Sequence, residues 1–246
     1  MQTQFRARFQ VLTRAIYPPG CLICGEQVES AFGLCPACWK DVPFISGLCC
    51  DLCGVPLPGE DMGFEEVCDD CLSVLRPWSK GRAALIYRDQ ARRLVLALKH
   101  GDRQDIARPA AGWMAQIAAP LIDRDTIVAP VPLHWSRMLR RRYNQSALLG
   151  AELAKVVDRP YCPDLLLRRR RTQSLDGKSP KERFAILEGA LVVHPKRRHL
   201  LKGRSVLIVD DVMTSGATLA AAARACLEAG AEDVRIVTLA RVAKDV

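Results

Sequence analysis

Four Cys-x-x-Cys pairs crowd the first third of this 246-residue chain: Cys21 with Cys24, Cys35 with Cys38, Cys50 with Cys53, and Cys68 with Cys71. They account for all but one of the nine cysteines between Cys21 and Cys71, Cys49 being left over. A Cys-x-x-Cys turn sets two thiolates on one side of a tight knuckle, and two knuckles supply the four sulfurs of a tetrahedral zinc site. Sequential tetrads, Cys21/Cys24/Cys35/Cys38 and Cys50/Cys53/Cys68/Cys71, need closures of only 10 and 14 residues, and are preferred to a cross-braced pairing. Gly25 and Gly54, each directly after a pair, suit knuckles that need positive φ. A thiolate quartet leaves no open coordination position, so both zincs are expected to be structural. The segment is proline-rich and poor in large apolar residues, so metal binding is expected to supply folding energy that a core cannot. A disulfide scaffold is the competing reading. The N-terminus alternates arginine with polar residues and carries no apolar signal region, which favours a reducing, cytoplasmic setting.

Charge is as uneven as cysteine. From His134 to Arg204 there are 18 Lys and Arg against 6 Asp and Glu, more than the whole chain's net +9. Such a segment is either a solvated face or a surface for phosphates. No apolar run reaches the ~18–20 residues of a membrane helix, so no membrane span is expected.

Beyond Trp78 the pattern alternates strand and helix. Strands are predicted at 83–87, 126–131, 165–167, 190–193, 205–209 and 234–239, and helices at 89–99, 106–119, 147–157 and 219–229. This order predicts an α/β fold with a parallel sheet covered on both faces. The expected division is a double zinc-ribbon domain over 1–78 and an α/β domain over 79–246.

The run from Val206 to Leu219 carries the most chemistry. A buried strand delivers Asp210 and Asp211 to the carboxyl edge of the sheet, where open α/β folds bind ligands. The acids can accept hydrogen bonds from vicinal ribose hydroxyls. Behind them, Thr214, Ser215, Gly216, Ala217 and Thr218 turn into a helix N-terminus, so amides, hydroxyls and helix dipole converge on one anion. Taken alone, either half could be an ordinary solvated loop or N-cap turn. Together, from Val206 through Met213 to Leu219, they resemble the phosphoribosyl pyrophosphate (PRPP) binding motif of type I phosphoribosyltransferases, with Met213 where a smaller residue is usual.

The wider set is similar to the ComF family. It comprises two Cys-x-x-Cys tetrads, Leu98-Lys99-His100-Gly101-Asp102, Pro130-Val131-Pro132, Arg142-Tyr143-Asn144-Gln145-Ser146, Arg171-Thr172-Gln173-Ser174-Leu175, Lys181-Glu182-Arg183 and the PRPP-like loop. Arg142 stands where the family's middle motif usually has glycine. The resemblance implies a double zinc ribbon fused to a type I phosphoribosyltransferase fold, and a link to DNA uptake and the competence machinery.

It also implies roles. Asp210 and Asp211 would meet the ribose hydroxyls, residues Met213 to Thr218 the 5′-phosphate, and magnesium the pyrophosphate and ribose oxygens. Displacement at C1 needs cations at the pyrophosphate end; Arg142 and Lys99 are the first choices, ahead of Arg137, Arg140, Arg141 and the stretch 168–183. Tyr143 and Trp135 could stack on bases of single-stranded DNA or belong to a core or interface. Three functions stay open: a ribose-phosphate binder in DNA uptake, an active salvage transferase, and a PRPP-sensing regulator.

Overall fold

The computed structural model describes residues 19–28, 33–133, 142–170 and 177–243. His134, Trp135, Arg137, Arg140, Arg141 and the Arg171–Leu175 motif lie outside them.

The centre is a four-stranded parallel sheet of β1 (Lys80–Ile86), β2 (Ile127–Pro130), β5 (Ser205–Met213) and β6 (Asp233–Arg241), in the order β1-β6-β5-β2. A two-stranded antiparallel sheet pairs β3 (Leu166–Arg168) with β4 (Leu191–Val193). Successive residues of β5 serve opposite faces, as the two-residue strand period requires. Leu207 and Val209 pack with α3 (Asp89–His100), α4 (Ala107–Ala118) and α5 (Gln145–Val156). Val206 and Ile208 pack with α7 (Ala217–Glu228) on the other face. Each such aliphatic side chain, fully buried, contributes about 1.5–3 kcal/mol. The covered parallel sheet expected from the strand–helix alternation is therefore present, as is each predicted helix. Helix α6 (Pro180–Leu187) was not expected; its capping box, Ser179 with Glu182, and Pro180 in its first turn are a legible start signal.

One boundary moves in a way that matters. The apolar run predicts β5 to end at Val209, but pairing with β6 continues through Asp210↔Thr238, Val212↔Ala240 and Met213↔Arg241. On its other side β5 loses its neighbour, because β2 stops at Pro130 opposite Val209. The two acids thus lie on a strand held from one side only, beside an opening where β2 has ended.

The cysteine-rich segment, with α1 (Pro36–Asp41) and α2 (Asp69–Ser73), is packed onto this sheet. It covers the free edge of β1: Phe44 bridges Leu85, Ile45 N–H donates to Ala84 O at 2.9 Å, and Gly81 N–H donates to Asp51 O at 2.7 Å. Leu22 and Val42 join the core on the α3–α4 face, whereas Cys50, Cys53, Cys71 and Trp78 join the core on the α7 face. Gly54, at φ 68°, shows how close the two parts come: a Cβ there would lie 2.4 Å from Ala83 N. Among the described residues no helix is long and apolar enough to cross a membrane.

Candidate ribose-phosphate site and metal centres

The eight paired cysteines form two clusters, Cys21/Cys24/Cys35/Cys38 and Cys50/Cys53/Cys68/Cys71, whose sulfurs lie within 4.8 Å of one another. The pairing is sequential. Cys24 and Cys35 sulfurs are 3.7 Å apart, as are those of Cys53 and Cys68. That is the edge of a tetrahedron with metal–sulfur bonds of about 2.3 Å, the zinc–thiolate length. Gly25 and Gly54 both have positive φ, as the knuckles demand. Four soft sulfurs in this geometry fit zinc and leave it closed to substrate. Against the penalty of burial, hydrogen bonds at Cys24, Cys35 and Ile23 bring Cys21 down to about 6, while burial lifts Cys38. In the second cluster hydrogen bonds from Cys53 and Cys71 hold Cys50 well below the thiol range. Cys49 stays outside both clusters.

At the open end of β5, Asp211 is 8% exposed and its carboxylate lies 3.2 Å from Lys99 Nζ at the C-terminus of α3. Asp210 accepts from Ser146 Oγ at 2.8 Å and from the Asp211 amide at 2.9 Å. Burial first, and the Asp211 charge second, push the Asp210 carboxyl up to about 7, with Ser146 and Lys99 opposing.

The Tyr143–Ser146 motif is the frame of the site. Asn144 caps α5 by accepting from Ser146 N–H, and its side-chain amide donates to Val131 O at 2.9 Å. Tyr143 Oη donates to Leu98 O at 2.7 Å and Gln145 Nε2 to Lys99 O at 3.4 Å, fixing the helix end that presents Lys99. Tyr143 is 9% exposed and packs in the core, which answers the choice between stacking and packing in favour of packing. Arg142 has φ 66°, so it keeps the left-handed backbone that glycine adopts freely. Its exposed guanidinium pairs with Asp102 at 3.0 Å.

Behind the acids, residues 214–216 lead into α7, capped by Gly216 at φ 80°. The carbonyls of this bend are already engaged from within the protein. Arg241, 3% exposed, donates to Thr214 O at 2.8 Å and Met213 O at 3.4 Å, and Arg76, 8% exposed, donates to Ser215 O at 2.7 Å. Among the described residues, the amides of Ser215, Gly216, Thr218 and Leu219 reach no protein acceptor. Asp210, Thr214, Ser215, Gly216, Ala217 and Thr218 line one small pocket. Met213 also touches it, although the residue as a whole is buried. Arg183, from the basic stretch proposed for the pyrophosphate end, donates to Thr214 Oγ1 at 3.0 Å. Arg170 of that stretch is spent elsewhere, on the Glu188 carbonyl just past α6.

Three residues at the site carry no local signal in the sequence: Ser146 is one polar residue of the 142–146 motif, and Arg76 and Arg241 reach partners 139 and 27 residues away.

Two family models match parts of the chain: a double zinc ribbon domain over residues 12–72 and a phosphoribosyl transferase domain over residues 144–246. "DNA utilization protein YhgH" of Salmonella typhi is 30% identical over 233 residues, 91% of this chain and 97% of the relative. The chain belongs to the ComF family. "Competence protein F" of Haemophilus influenzae and "Competence protein ComFC" of Bacillus subtilis are each 28% identical, over 90% of this chain and 96% and 94% of theirs. The ComF architecture, a double zinc ribbon followed by a type I phosphoribosyltransferase fold, accounts for both the tetrads and the bend after β5.

Proposed function

We propose that this ComF protein binds PRPP or a related ribose 5-phosphate compound at the end of β5 and serves DNA uptake or utilisation, in line with the names its relatives carry. One observation carries the reading: the bend's carbonyls are tied down by Arg241 and Arg76 while its amides are left to an outside acceptor. A phosphate monoester satisfies amides, helix dipole and the Thr214, Ser215 and Thr218 hydroxyls at once. Asp210 and Asp211 then face the sugar hydroxyls, with Ser146 orienting the first and Lys99 the second.

The donors at this end of the sheet are oxygens, which fits magnesium; Asp210 and Asp211 would sit beside the cation, whose chemistry is to neutralise pyrophosphate charge. Lys99 pairs with Asp211 and Arg183 donates to the Thr214 hydroxyl, so both stand where a pyrophosphate would need cations, and Arg142 would reach it by leaving its exposed pair with Asp102. Transfer to an acceptor would proceed by positioning and charge neutralisation at C1, with Lys99 and Arg142 in catalytic roles. The basic segment 134–204 is assigned to single-stranded DNA, and the working compartment to the cytoplasm, where competence-machinery partners would meet the protein.

The test is calorimetric titration of the zinc-loaded protein with PRPP and magnesium, alongside Asp210→Asn with Asp211→Asn. Binding that is lost in the double variant, with single-stranded DNA binding retained, supports two separate functions. Pyrophosphate release with an added base, lost in the same variant, makes the protein a transferase. Absence of PRPP binding to the wild-type protein rejects the reading.

A further inference from the structure

Arg76 is a buried cation with an unusual set of neighbours. Its Nε–H points at the Cys71 sulfur, 3.4 Å away, and its Nη1 donates to the Ser215 carbonyl at 2.7 Å. The guanidinium lies 5.5 Å from the centre of the Trp78 ring, and Trp78 is itself anchored by Nε1–H to Leu52 O at 2.6 Å, within the Cys50–Cys53 knuckle. Among the described residues Arg76 pairs with no carboxylate. The same side chain fills the space below Gly216, where a Cβ would come within 2.8 Å of Nη1, 2.7 Å of the Met213 methyl and 3.3 Å of Trp78. One planar group thus touches a metal-cluster sulfur on one side and the phosphate bend on the other.

We propose that Arg76 is a positioning residue that couples the second cysteine cluster to the phosphate bend, so that metal in that cluster raises the affinity of the bend for a phosphate monoester. The coupling rests on the ribose-phosphate reading above. A metal-bound Cys71 thiolate keeps its negative charge and a fixed place, and so holds the guanidinium in register through a hydrogen bond of the kind that orients ligands around metal sites. The guanidinium in turn fixes the Ser215 carbonyl inward, which aims the following amides outward. Its charge, together with that of Arg241, lies beneath the bend and favours an anion above it. Among the described residues the first cluster makes no such contact: its buried sulfurs form a small group of their own. Coupling of this kind is reciprocal, so the phosphate ligand must also strengthen metal retention.

The experiment uses the full chain loaded with zinc, ribose 5-phosphate as the probe, and a chromogenic chelator to follow zinc release. In the wild type, saturating ribose 5-phosphate is expected to slow release of one of the two zincs by about fivefold or more and leave the other unchanged. Arg76→Gln, still carrying two zincs, is expected to bind ribose 5-phosphate about tenfold more weakly and to lose that protection; Arg76→Lys, which keeps the charge but cannot bridge both partners, falls between. Wild-type affinity in Arg76→Gln, or zinc release indifferent to ligand in the wild type, overturns the coupling while the ribose-phosphate reading stands. Failure of the wild type to bind ribose 5-phosphate or PRPP removes both. Where Arg76→Gln does not fold, the release rates of the wild type with and without ligand decide.

Discussion

Ser146 Oγ donates to Asp210 Oδ1 at 2.8 Å, joining the first turn of α5 to a β5 residue 64 positions away. This bond anchors an acid whose proton affinity is raised at the site: burial and the Asp211 charge lift Asp210 to about 7 from an unfolded value of about 3.9.

A pH signature follows. With the folded value above the unfolded one, the native state binds the extra proton between about pH 4 and 7, and Asp210 costs stability progressively as pH rises through that window. Asp210→Asn removes the cost. The variant is expected to match wild type near pH 3 and to exceed it by up to roughly 4 kcal/mol at pH 8, about 1.4 kcal/mol for each pH unit between the two values. Urea unfolding of both proteins at the two pH values checks this, and a constant difference between them would refute the assignment.

Arg142 offers a separation of conformation from charge. Its left-handed backbone costs about 1–2 kcal/mol for a residue with a Cβ, and its exposed pair with Asp102 returns about 0–1 kcal/mol. Arg142→Gly is therefore expected to fold with stability within about 1 kcal/mol of wild type, whereas Arg142→Ile falls by about 1–2 kcal/mol. If the guanidinium serves the pyrophosphate end, Arg142→Gly weakens PRPP by about tenfold and leaves ribose 5-phosphate unchanged, as calorimetry of the two ligands will read.

The two metal clusters should not be equivalent. Cys50, Cys53 and Cys71 belong to the core beneath α7, while Cys21, Cys35 and Cys38 form a separate group. Metal analysis is expected to give about two zincs per chain. Cys50→Ser should lower the main thermal transition by more than Cys21→Ser, and recovery of a metal-free chain with the wild-type transition would dismiss the structural role.

Tyr143 and the basic segment can be told apart by salt. With its ring in the core, Tyr143→Phe is expected to cost about 1 kcal/mol of stability through the lost bond to Leu98 O and to leave single-stranded DNA affinity unaltered. If residues 134–204 hold DNA by phosphate contacts, affinity drops steeply from about 50 to 200 mM salt. A flat response in fluorescence anisotropy would leave that segment as a solvated face.

What could be read along the chain is what is local. The tetrads are spaced pairs, the acids and bend are consecutive, and α6 announces itself with Ser179 and Glu182. Arg76 could not be read this way, since its carbonyl partner lies 139 residues on and nothing in Leu-Arg-Pro-Trp marks a buried guanidinium. Arg241 is equally silent, a cation at the end of an apolar strand. Tyr143 stood next to arginines in sequence, which suggested nucleic acid, but its hydroxyl is satisfied by a helix carbonyl 45 residues earlier. The true end of β5 was hidden because Asp210 and Asp211 interrupt its hydrophobicity without interrupting its pairing.

The covering of β1 by residues 43–51 has a bearing on how this protein fails. A strand with free backbone groups on one side is a template for other chains, and here those groups are claimed by a segment that needs metal to keep its shape. Chelated protein should therefore scatter light and sediment as oligomers before its sheet melts, with the ribbon acting, in effect, as a guard against self-association.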